Sequence, residues 1–138
     1  MPTEFTHPTR IAFVCVQNAG RSQMSFAFAK RERDRRGLAV EILTGGTHPA
    51  DHVHDEVVDA MDEVGVDLSE RTPREITTDE LQSCAYVVTM GCSTLDIGDV
   101  DVRDWALDDP DGKAPERVRE IRDEVERRVV ALFDELEG

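Results

Sequence analysis

Short apolar runs alternate with helical stripes along the chain, and the runs predict four strands. Residues 10–15 and 85–90 are apolar over most of their length, as is typical of central strands that are buried on both faces. Residues 38–44 alternate between apolar and polar positions and end at a pair of glycines, which predicts another strand. Residues 102–105 predict a short last strand.

Helices are predicted in the segments between these strands. The first runs from Ser22 to about Arg36 and is closed by Gly37, since glycine favours helix ends. Residues 78–81 resemble a short capped helix. A further apolar stripe recurs at helical spacing and is formed by Val53, Val57, Met61 and Val64. The last helix carries the longest stripe, which consists of Val118, Ile121, Val125, Val129, Leu132 and Leu136.

This order of elements predicts a single three-layer α/β domain, in which a four-stranded parallel sheet is flanked by helices. Residues 1–9 contain two prolines and three threonines and are interpreted as a flexible tail, so that the domain covers residues 10–138. A chain of 138 residues agrees with one compact domain. Ligands of such sheets bind beyond the carboxyl ends of the strands, so we expect the chemistry in the loops that follow them.

The charge balance narrows the range of partners. Thirty acidic and sixteen basic residues give a net charge of −14, which argues against nucleic acid and membranes as partners. An anionic substrate would be repelled at long range, so any oxyanion site must be locally positive. Lys30 and Lys113 are the only lysines. An acidic, lysine-poor surface fits a protein that works in high salt, although acidity could equally serve solubility.

The lack of a recognisable targeting signal and the spacing of the cysteines favour a cytoplasmic protein. No apolar run is long enough to cross a membrane, and the first ten residues lack the apolar core of a signal peptide. The three irregularly spaced cysteines form neither a disulfide framework nor a zinc motif, as expected in a reducing compartment. His48, His52 and His54 lack a carboxylate–histidine ligand pattern. We therefore interpret them as solvated loop and helix-entry residues and predict no metal site.

The most specific chemical signal follows the first predicted strand. Five residues separate Cys15 from Arg21 and Ser22, where a predicted helix begins. A strand, a short loop and a helix N-terminus in this order can direct backbone N–H groups at one anion, and the helix end adds positive potential. Both effects stabilise a thiolate, which makes Cys15 a candidate nucleophile. The alternative is a half-buried cysteine in an ordinary strand–helix turn.

The residues of this loop have distinct expected roles. The expected oxyanion-binding residues are Val16, Gln17, Asn18, Ala19, Gly20, Arg21 and Ser22. The Arg21 guanidinium can grip a tetrahedral oxyanion with two hydrogen bonds, and Gly20 permits a backbone conformation that a side chain would resist. Ser22 is placed to donate a hydrogen bond to the Cys15 sulfur. A nucleotide P-loop does not fit, because its Gly-Lys-Ser/Thr sequence is absent.

The other two cysteines lie at opposite ends of the third predicted strand. Cys92 follows this strand at the same edge of the sheet as Cys15, whereas Cys84 precedes it and is about 20 Å away. That separation is too large for a disulfide. We interpret Cys84 as a small buried hydrophobic residue. Cys92 is then either a candidate second thiol or a loop thiol without a role.

A carboxylate can also approach the loop from the last predicted strand. Asp109 precedes Pro110 in a segment that follows this strand. A carboxyl group at that place could protonate a leaving oxygen as the sulfur attacks. Asp108 and Asp111 are close by in the sequence, so a solvated turn is the alternative.

Together these motifs resemble the low-molecular-weight protein tyrosine phosphatase fold. The resemblance rests on Cys15, Arg21 and Ser22 near the N-terminus and on a late Asp109-Pro110 pair. Several stretches are closer to the thiol-dependent arsenate reductases, namely residues 15–24, 46–49, 87–92 and 104–113. The resemblance covers nearly everything from residue 10 to the end. It implies a four-stranded parallel sheet, Cys15 as nucleophile, Arg21 and the loop amides as oxyanion binders and Asp109 as general acid.

Two departures from these families bear on the reaction. Phosphatases usually carry aromatic residues after the Asp-Pro pair, but Asp111 and Gly112 stand there, so a wall for phosphotyrosine is missing. Thioredoxin-coupled reductases commonly carry another cysteine a few residues beyond the Cys92 position, and residues 93–96 contain none. The intermediate is then resolved by a small cellular thiol, or by a Cys15–Cys92 disulfide that is reduced from outside.

The resemblance implies arsenate reduction, with hydrolysis of phosphate monoesters by a tyrosine phosphatase as the alternative. In the first reaction Cys15 attacks arsenate, Asp109 protonates the departing oxygen and a second thiol, Cys92 or an external one, completes the reduction. No bound cofactor is expected, and the external reductant is thioredoxin, glutaredoxin or a small thiol. A non-catalytic oxyanion-binding or redox-sensing module is a third interpretation, but such a module needs neither a nucleophile nor an acid.

Overall fold

The chain folds around one four-stranded sheet. A computed structural model describes residues 9–90 and 100–137. In chain order the elements are β1 (Thr9–Cys15), α1 (Arg21–Arg36), β2 (Val40–Gly46), α2 (Asp55–Asp62), α3 (Thr78–Gln82), β3 (Tyr86–Met90), β4 (Asp101–Asp104) and α4 (Pro115–Glu137). Neighbouring strands are parallel, in the order β2-β1-β3-β4. The predicted α/β fold with four parallel strands is confirmed.

The strands β1 and β3 are central, which explains why their sequences are the most apolar. Successive side chains of a strand face opposite sides of the sheet. Ile11 and Phe13 of β1 belong to a large core shared with α1, α2 and α4. Ala12 and Val14 belong to a smaller core that includes Leu81 of α3. Helices therefore cover both faces of the sheet, as predicted.

The ends of the helices differ slightly from the prediction. Helix α1 ends before Gly37, which has the left-handed φ of 66° that glycine adopts readily. Val53 shares the apolar stripe of α2 but precedes the helix, and it is buried in the core. Helix α3 is capped by Thr77, whose side chain accepts a hydrogen bond from the N–H of Glu80. Helix α4 begins at Pro115, because proline fits the first helical turn.

A cluster of ion pairs fixes α2 against α4. The Glu63 carboxylate, directly after α2, accepts hydrogen bonds from Arg119 at 2.8 Å and from Arg122 at 2.9 Å. These bonds lower the pKa of Glu63 from 4.5 to about 2. Arg122 also donates to the carbonyl of Ala60 in α2 at 2.8 Å. This arginine of α4 is therefore bonded both to the backbone of α2 and to the Glu63 side chain that follows α2.

In the described part of the chain, no helix is both long enough and apolar enough to cross a membrane. The longest, α4, has 23 residues and carries charged residues along its whole length.

Candidate active site

The loop between β1 and α1 lies at the carboxyl edge of the sheet, where ligands of α/β proteins bind. It begins at Cys15, which pairs with Gly46 of β2 and Met90 of β3, and ends at Arg21, the first residue of α1. We call residues 15–21 the oxyanion loop. Backbone N–H groups outside the loop hold its carbonyls: those of residues 15, 16, 17 and 19 accept from residues 47, 48, 50 and 54.

These carbonyl contacts determine where the amides of the oxyanion loop point. The described peptide bonds include no cis form, and in a trans peptide each N–H is antiparallel to the preceding C=O. The N–H groups of residues 16–18 and 20 therefore point away from the 47–54 segment that binds the carbonyls. The carbonyl of Gly20 accepts from Met24 within the first turn of α1, so the N–H of Arg21 is directed out of the helix N-terminus. This orientation leaves the amides available to an oxyanion.

Asn18 is the organising residue of the oxyanion loop. It is fully buried and has a φ of 52°, which is the only positive φ among the described non-glycine residues. Its Nδ2 donates to Oγ of Ser22 at 2.8 Å and to Oγ1 of Thr44 at 2.9 Å. Its Oδ1 accepts from the backbone N–H of Arg74 at 3.1 Å. Since a backbone N–H can only donate, this last contact fixes the orientation of the Asn18 amide.

Ser22 connects this network to the sulfur. Its Oγ lies 2.9 Å from Sγ of Cys15, so the contact expected from the sequence is present. Because the same oxygen accepts a hydrogen bond from Asn18, its own hydrogen can be directed at the sulfur. Cys15 is 3% exposed. Buried Asn18 therefore orients Ser22, and Ser22 contacts the sulfur at the base of the loop.

The segment after β4 brings a carboxylate to the oxyanion loop. We call residues 107–112 the acid loop. Nη1 of Arg21 donates to the carbonyl of Leu107 at 2.9 Å, and its Nη2 lies 3.7 Å from Oδ2 of Asp109. Oδ1 of Asp109 accepts from the N–H of Asp111 at 3.0 Å, which fixes the carboxylate in a tight turn. Arg21 thus contacts both the backbone of the acid loop and its candidate acid.

Two glycines permit close approaches around the oxyanion loop. A Cβ on Gly20 would lie 2.9 Å from Cγ of Pro110, so only glycine lets the acid loop approach this closely. A Cβ on Gly46 would lie 2.5 Å from the carbonyl oxygen of Val16. Gly20 is therefore needed because there is no space for a side chain beside Pro110. The residue of the loop that has a left-handed φ is Asn18.

The two loops enclose a cavity of about 300 Å³. Its lining among the described residues consists of Cys15, Val16, Gln17, Gly20, Arg21, His54, Asp109 and Asp111. The cysteine, arginine and aspartate singled out from the sequence therefore share one cavity. Asp108 lines a different cavity of about 510 Å³ and pairs there with Arg117, which holds the pKa of Asp108 below its usual value.

The three histidines do not share one environment. His48 and His52 are exposed, in agreement with their interpretation as solvated residues. His54 directly precedes α2 and is a helix-entry residue as predicted, but its side chain is only 16% exposed and lines the cavity. Its backbone N–H donates to the carbonyl of Ala19 at 3.0 Å and draws the start of α2 against the oxyanion loop. Within residues 9–90 and 100–137, no cluster of three or more metal-binding side chains occurs.

The other cysteines lie apart from this cavity or beyond the described residues. Cys84 is 6% exposed and precedes β3, at the end of the sheet opposite Cys15. Burial raises the pKa of its thiol, which donates to the carbonyl of Glu80 at 3.4 Å. Its interpretation as a small buried residue is confirmed. Cys92 lies outside the described residues, so its place and role stay predictions.

Three side chains contribute to the site in roles that were not predicted from the sequence: those of Asn18, Thr44 and His54. The side-chain amide of Asn18 has a recognisable signal, because asparagine in a short loop tolerates a left-handed conformation. Thr44 has a weaker one, as a polar residue near the end of a mostly apolar strand. His54 has none that separates it from His48 and His52.

The chain is similar to several known proteins over most of its length. A Halobacterium salinarum protein named "Putative arsenate reductase" is 72% identical over 131 residues, which cover 92% of each chain. The glutaredoxin arsenate reductase of a Synechocystis species is 32% identical over 133 residues, or 90% of this chain and 95% of the relative. The thioredoxin-dependent arsenate reductase structure from Corynebacterium glutamicum has a TM-score of 0.78 at 30% identity. That comparison covers 96% of this chain but 64% of the other.

A family model describes the matched region as a whole. The model of the low molecular weight phosphotyrosine protein phosphatases matches residues 10–138, a range that contains both loops and every residue that lines the cavity between them. The match extends over far more than half of the chain. The chain therefore belongs to the low molecular weight phosphotyrosine protein phosphatase family.

Proposed function

We propose that this protein is an enzyme that reduces arsenate to arsenite through the thiolate of Cys15. The observation that carries the proposal is one cavity lined by the Cys15 sulfur, the Arg21 guanidinium and the Asp109 carboxylate. The similarity to proteins named as arsenate reductases supports the choice of substrate. The role of each of these three residues is part of the proposal.

The lining of the cavity favours a small inorganic oxyanion. Arg21 and the amides of the oxyanion loop supply local positive potential in a chain whose net charge is −14. The described lining contains no phenylalanine, tyrosine or tryptophan, whereas an aromatic ester would need an apolar wall. Arsenate and phosphate share their shape and charge, so we expect the loop to bind both.

The first step joins sulfur to arsenic. The Cys15 thiolate attacks the arsenic atom, and one As–O bond breaks. Asp109 donates a proton to the departing oxygen, which leaves as water. The product is an arsenate ester of the cysteine sulfur in which arsenic is still pentavalent. Arg21 and the loop amides stabilise the charge on the remaining oxygens throughout this step.

The second step transfers two electrons. A second thiolate attacks the Cys15 sulfur and forms a disulfide, and the electron pair of the broken S–As bond stays on arsenic. Arsenic leaves as arsenite, and the disulfide carries the oxidising equivalents. A second thiol is therefore required, either from Cys92 or from an external donor such as thioredoxin, glutaredoxin or a small thiol. Cys92 is only two residues beyond Met90, which pairs with Cys15 in the sheet.

Arsenite release measured beside hydrolysis of a phosphate ester tests this function. The purified protein would be given arsenate with thioredoxin, with glutaredoxin and glutathione, or with a small dithiol, and in parallel p-nitrophenyl phosphate. We expect arsenite release with at least one donor, its loss in Cys15→Ser and its retention in Cys84→Ser. Rapid ester hydrolysis without arsenite release from any donor would favour the phosphatase alternative, which the family assignment keeps open.

The source of the second thiol needs its own variant. With a protein dithiol as reductant, we expect Cys92→Ser to abolish arsenite release and to leave ester hydrolysis intact, since water can resolve a phosphocysteine. Unchanged arsenite release with glutathione would instead mean that the external thiol attacks the Cys15 adduct directly. Cys84→Ser is the matched control, because Cys84 is buried at the other end of the sheet.

A further inference from the structure

The acid loop is fastened to the rest of the molecule by several contacts around the cavity. Near its start, the carbonyl of Leu107 accepts from Arg21 at 2.9 Å. At its end, the N–H of Gly112 donates to the Glu56 carboxylate of α2 at 2.7 Å. Between them, Oδ1 of Asp111 lies 4.0 Å from Nδ1 of His54. These contacts connect the loop that carries Asp109 to Arg21, Glu56 and His54.

His54 is well placed to connect the acid loop to the oxyanion loop. Its backbone N–H is bonded to the Ala19 carbonyl of the oxyanion loop, and its ring lines the cavity beside Asp111. The ring also approaches Gly20, since Cδ2 would lie 3.5 Å from a Cβ at that position. The His54 side chain therefore lies between the oxyanion loop and the acid loop.

The His54–Asp111 contact is the one among these that joins an imidazole to a carboxylate. Histidine changes its charge between about pH 5 and 8, whereas arginine and backbone amides keep theirs. Burial raises the pKa of Glu56, but hydrogen bonds from its own N–H and that of Gly112, with the charge of His54, bring it below its ordinary value. Among the residues that the structure describes, the charged or titratable groups around His54 are Asp111, Asp109, Arg21, Cys15 and Glu56.

We propose that His54 is a positioning residue for the reaction: its imidazolium pairs with Asp111 and thereby holds the acid loop so that Asp109 lies over the Cys15 sulfur. This inference rests on the proposed function, because it assigns His54 a task in the step that Asp109 serves. The side chain acts through the acid loop, while the anion itself is bound by the oxyanion loop. Loss of the pair should therefore lower kcat and leave the KM for arsenate nearly unchanged.

A double-mutant cycle tests this positioning. His54→Asn and Asp111→Asn each remove the charge of one partner and keep the backbone bonds to Ala19 and Asp109. We expect each to lower kcat for arsenite release by roughly tenfold, a part of what a positioned acid supplies. The double variant should be no worse than either single one. The exposed His52→Asn and Asp51→Asn are matched controls and should retain the wild-type kcat.

A charge-preserving variant and a pH profile separate positioning from a general effect on folding. His54→Lys keeps a cation beside Asp111 and should recover most of the kcat that His54→Asn loses. The kcat ratio of wild type to His54→Asn should fall as the pH rises, because histidine as a residue type loses its charge between about pH 5 and 8. The kcat ratio of wild type to His54→Lys should fall below one as the pH rises, because lysine stays charged.

Several outcomes would overturn the inference. Single losses that multiply in the double variant, a rise in KM at constant kcat, or a pH-independent ratio would each show that His54 does not act through Asp111. Failure of the proposed function is distinguishable, because wild type would then release no arsenite with any donor. The same cycle would in that case be measured on p-nitrophenyl phosphate, whose leaving group also receives a proton from Asp109.

Discussion

The Asp109 carboxylate lies 3.7 Å from the Arg21 guanidinium, whereas the carboxylate of the adjacent Asp108 pairs with Arg117 in another cavity. Two neighbouring residues of identical chemistry therefore have separate environments. A proton donor for the departing oxygen must be within reach of the oxyanion, and of these two only Asp109 lines the cavity with Cys15.

Replacement of Asp109 should slow the chemical step without preventing anion binding. We expect Asp109→Asn to lower kcat by roughly 10²–10⁴-fold, the usual contribution of a positioned acid. Arg21 and the loop amides remain, so phosphate should still protect Cys15 from alkylation. Steady-state kinetics of arsenite release provide the measurement, with Asp108→Asn as the matched control. A larger loss in Asp108→Asn would place the acid one residue earlier.

Cys15 should be the most reactive thiol of the protein towards iodoacetamide. The amides of the oxyanion loop, the α1 N-terminus and Ser22 favour its thiolate, whereas burial raises the pKa of Cys84. Mass spectrometry of peptides after brief alkylation at pH 7 should show Cys15 modified before Cys84. Phosphate or arsenate should slow this modification. Faster labelling of Cys84, or no protection by either anion, would contradict the assignment of the loop.

The buried amide of Asn18 should contribute measurably to stability. Asn18→Ala removes the buried hydrogen bonds to Ser22, Thr44 and the Arg74 N–H, and a buried polar group that loses its partner costs about 1–3 kcal/mol. It also places a Cβ-bearing residue without local hydrogen bonds at a φ of 52°. Asn18→Gly loses the same bonds but not the backbone conformation, so its free energy of unfolding should exceed that of Asn18→Ala by about 1 kcal/mol.

Urea unfolding of the two Asn18 variants and wild type provides this comparison. Equal stability of the alanine and glycine variants would mean that the left-handed φ carries no cost. Wild-type stability in both would mean that the side-chain network does not contribute to folding.

The Glu63 cluster should make stability depend on pH in the acid range. The folded-state pKa of Glu63 is about 2 and its ordinary value is 4.5, so its contribution is fully present above pH 4.5. It is lost as the pH falls towards 2 and the carboxylate takes up a proton. Glu63→Gln should therefore lower Tm at pH 7 and make a smaller difference at pH 3, measured by circular dichroism. Glu70→Gln, at an exposed position, is the control. An equal shift at both pH values would contradict the ion pairs.

The fold was predictable because its signals are local. The apolar runs of β1 and β3 and the stripe of α4 follow from the periodicity of strands and helices. Gly37 ends α1 in the conformation expected for glycine. The exact start of α2 was not predictable, because Val53 is buried by tertiary packing and so continues the apolar stripe beyond the helix.

The candidate site was predictable where chain connectivity alone brings groups together. Cys15, Arg21 and Ser22 belong to one strand–loop–helix unit, so their spacing already predicts an anion-binding loop. The resemblance to known families already pointed to Asp109, whereas only the tertiary structure showed that Asp108 lines a different cavity and that His54 rather than His48 or His52 lines the one with Cys15. These choices depend on contacts between residues far apart in sequence, such as Arg21 with Leu107 and Ala19 with His54. Residue type and spacing carry no information about such contacts, because they arise only when the packed core sets the positions of separate loops.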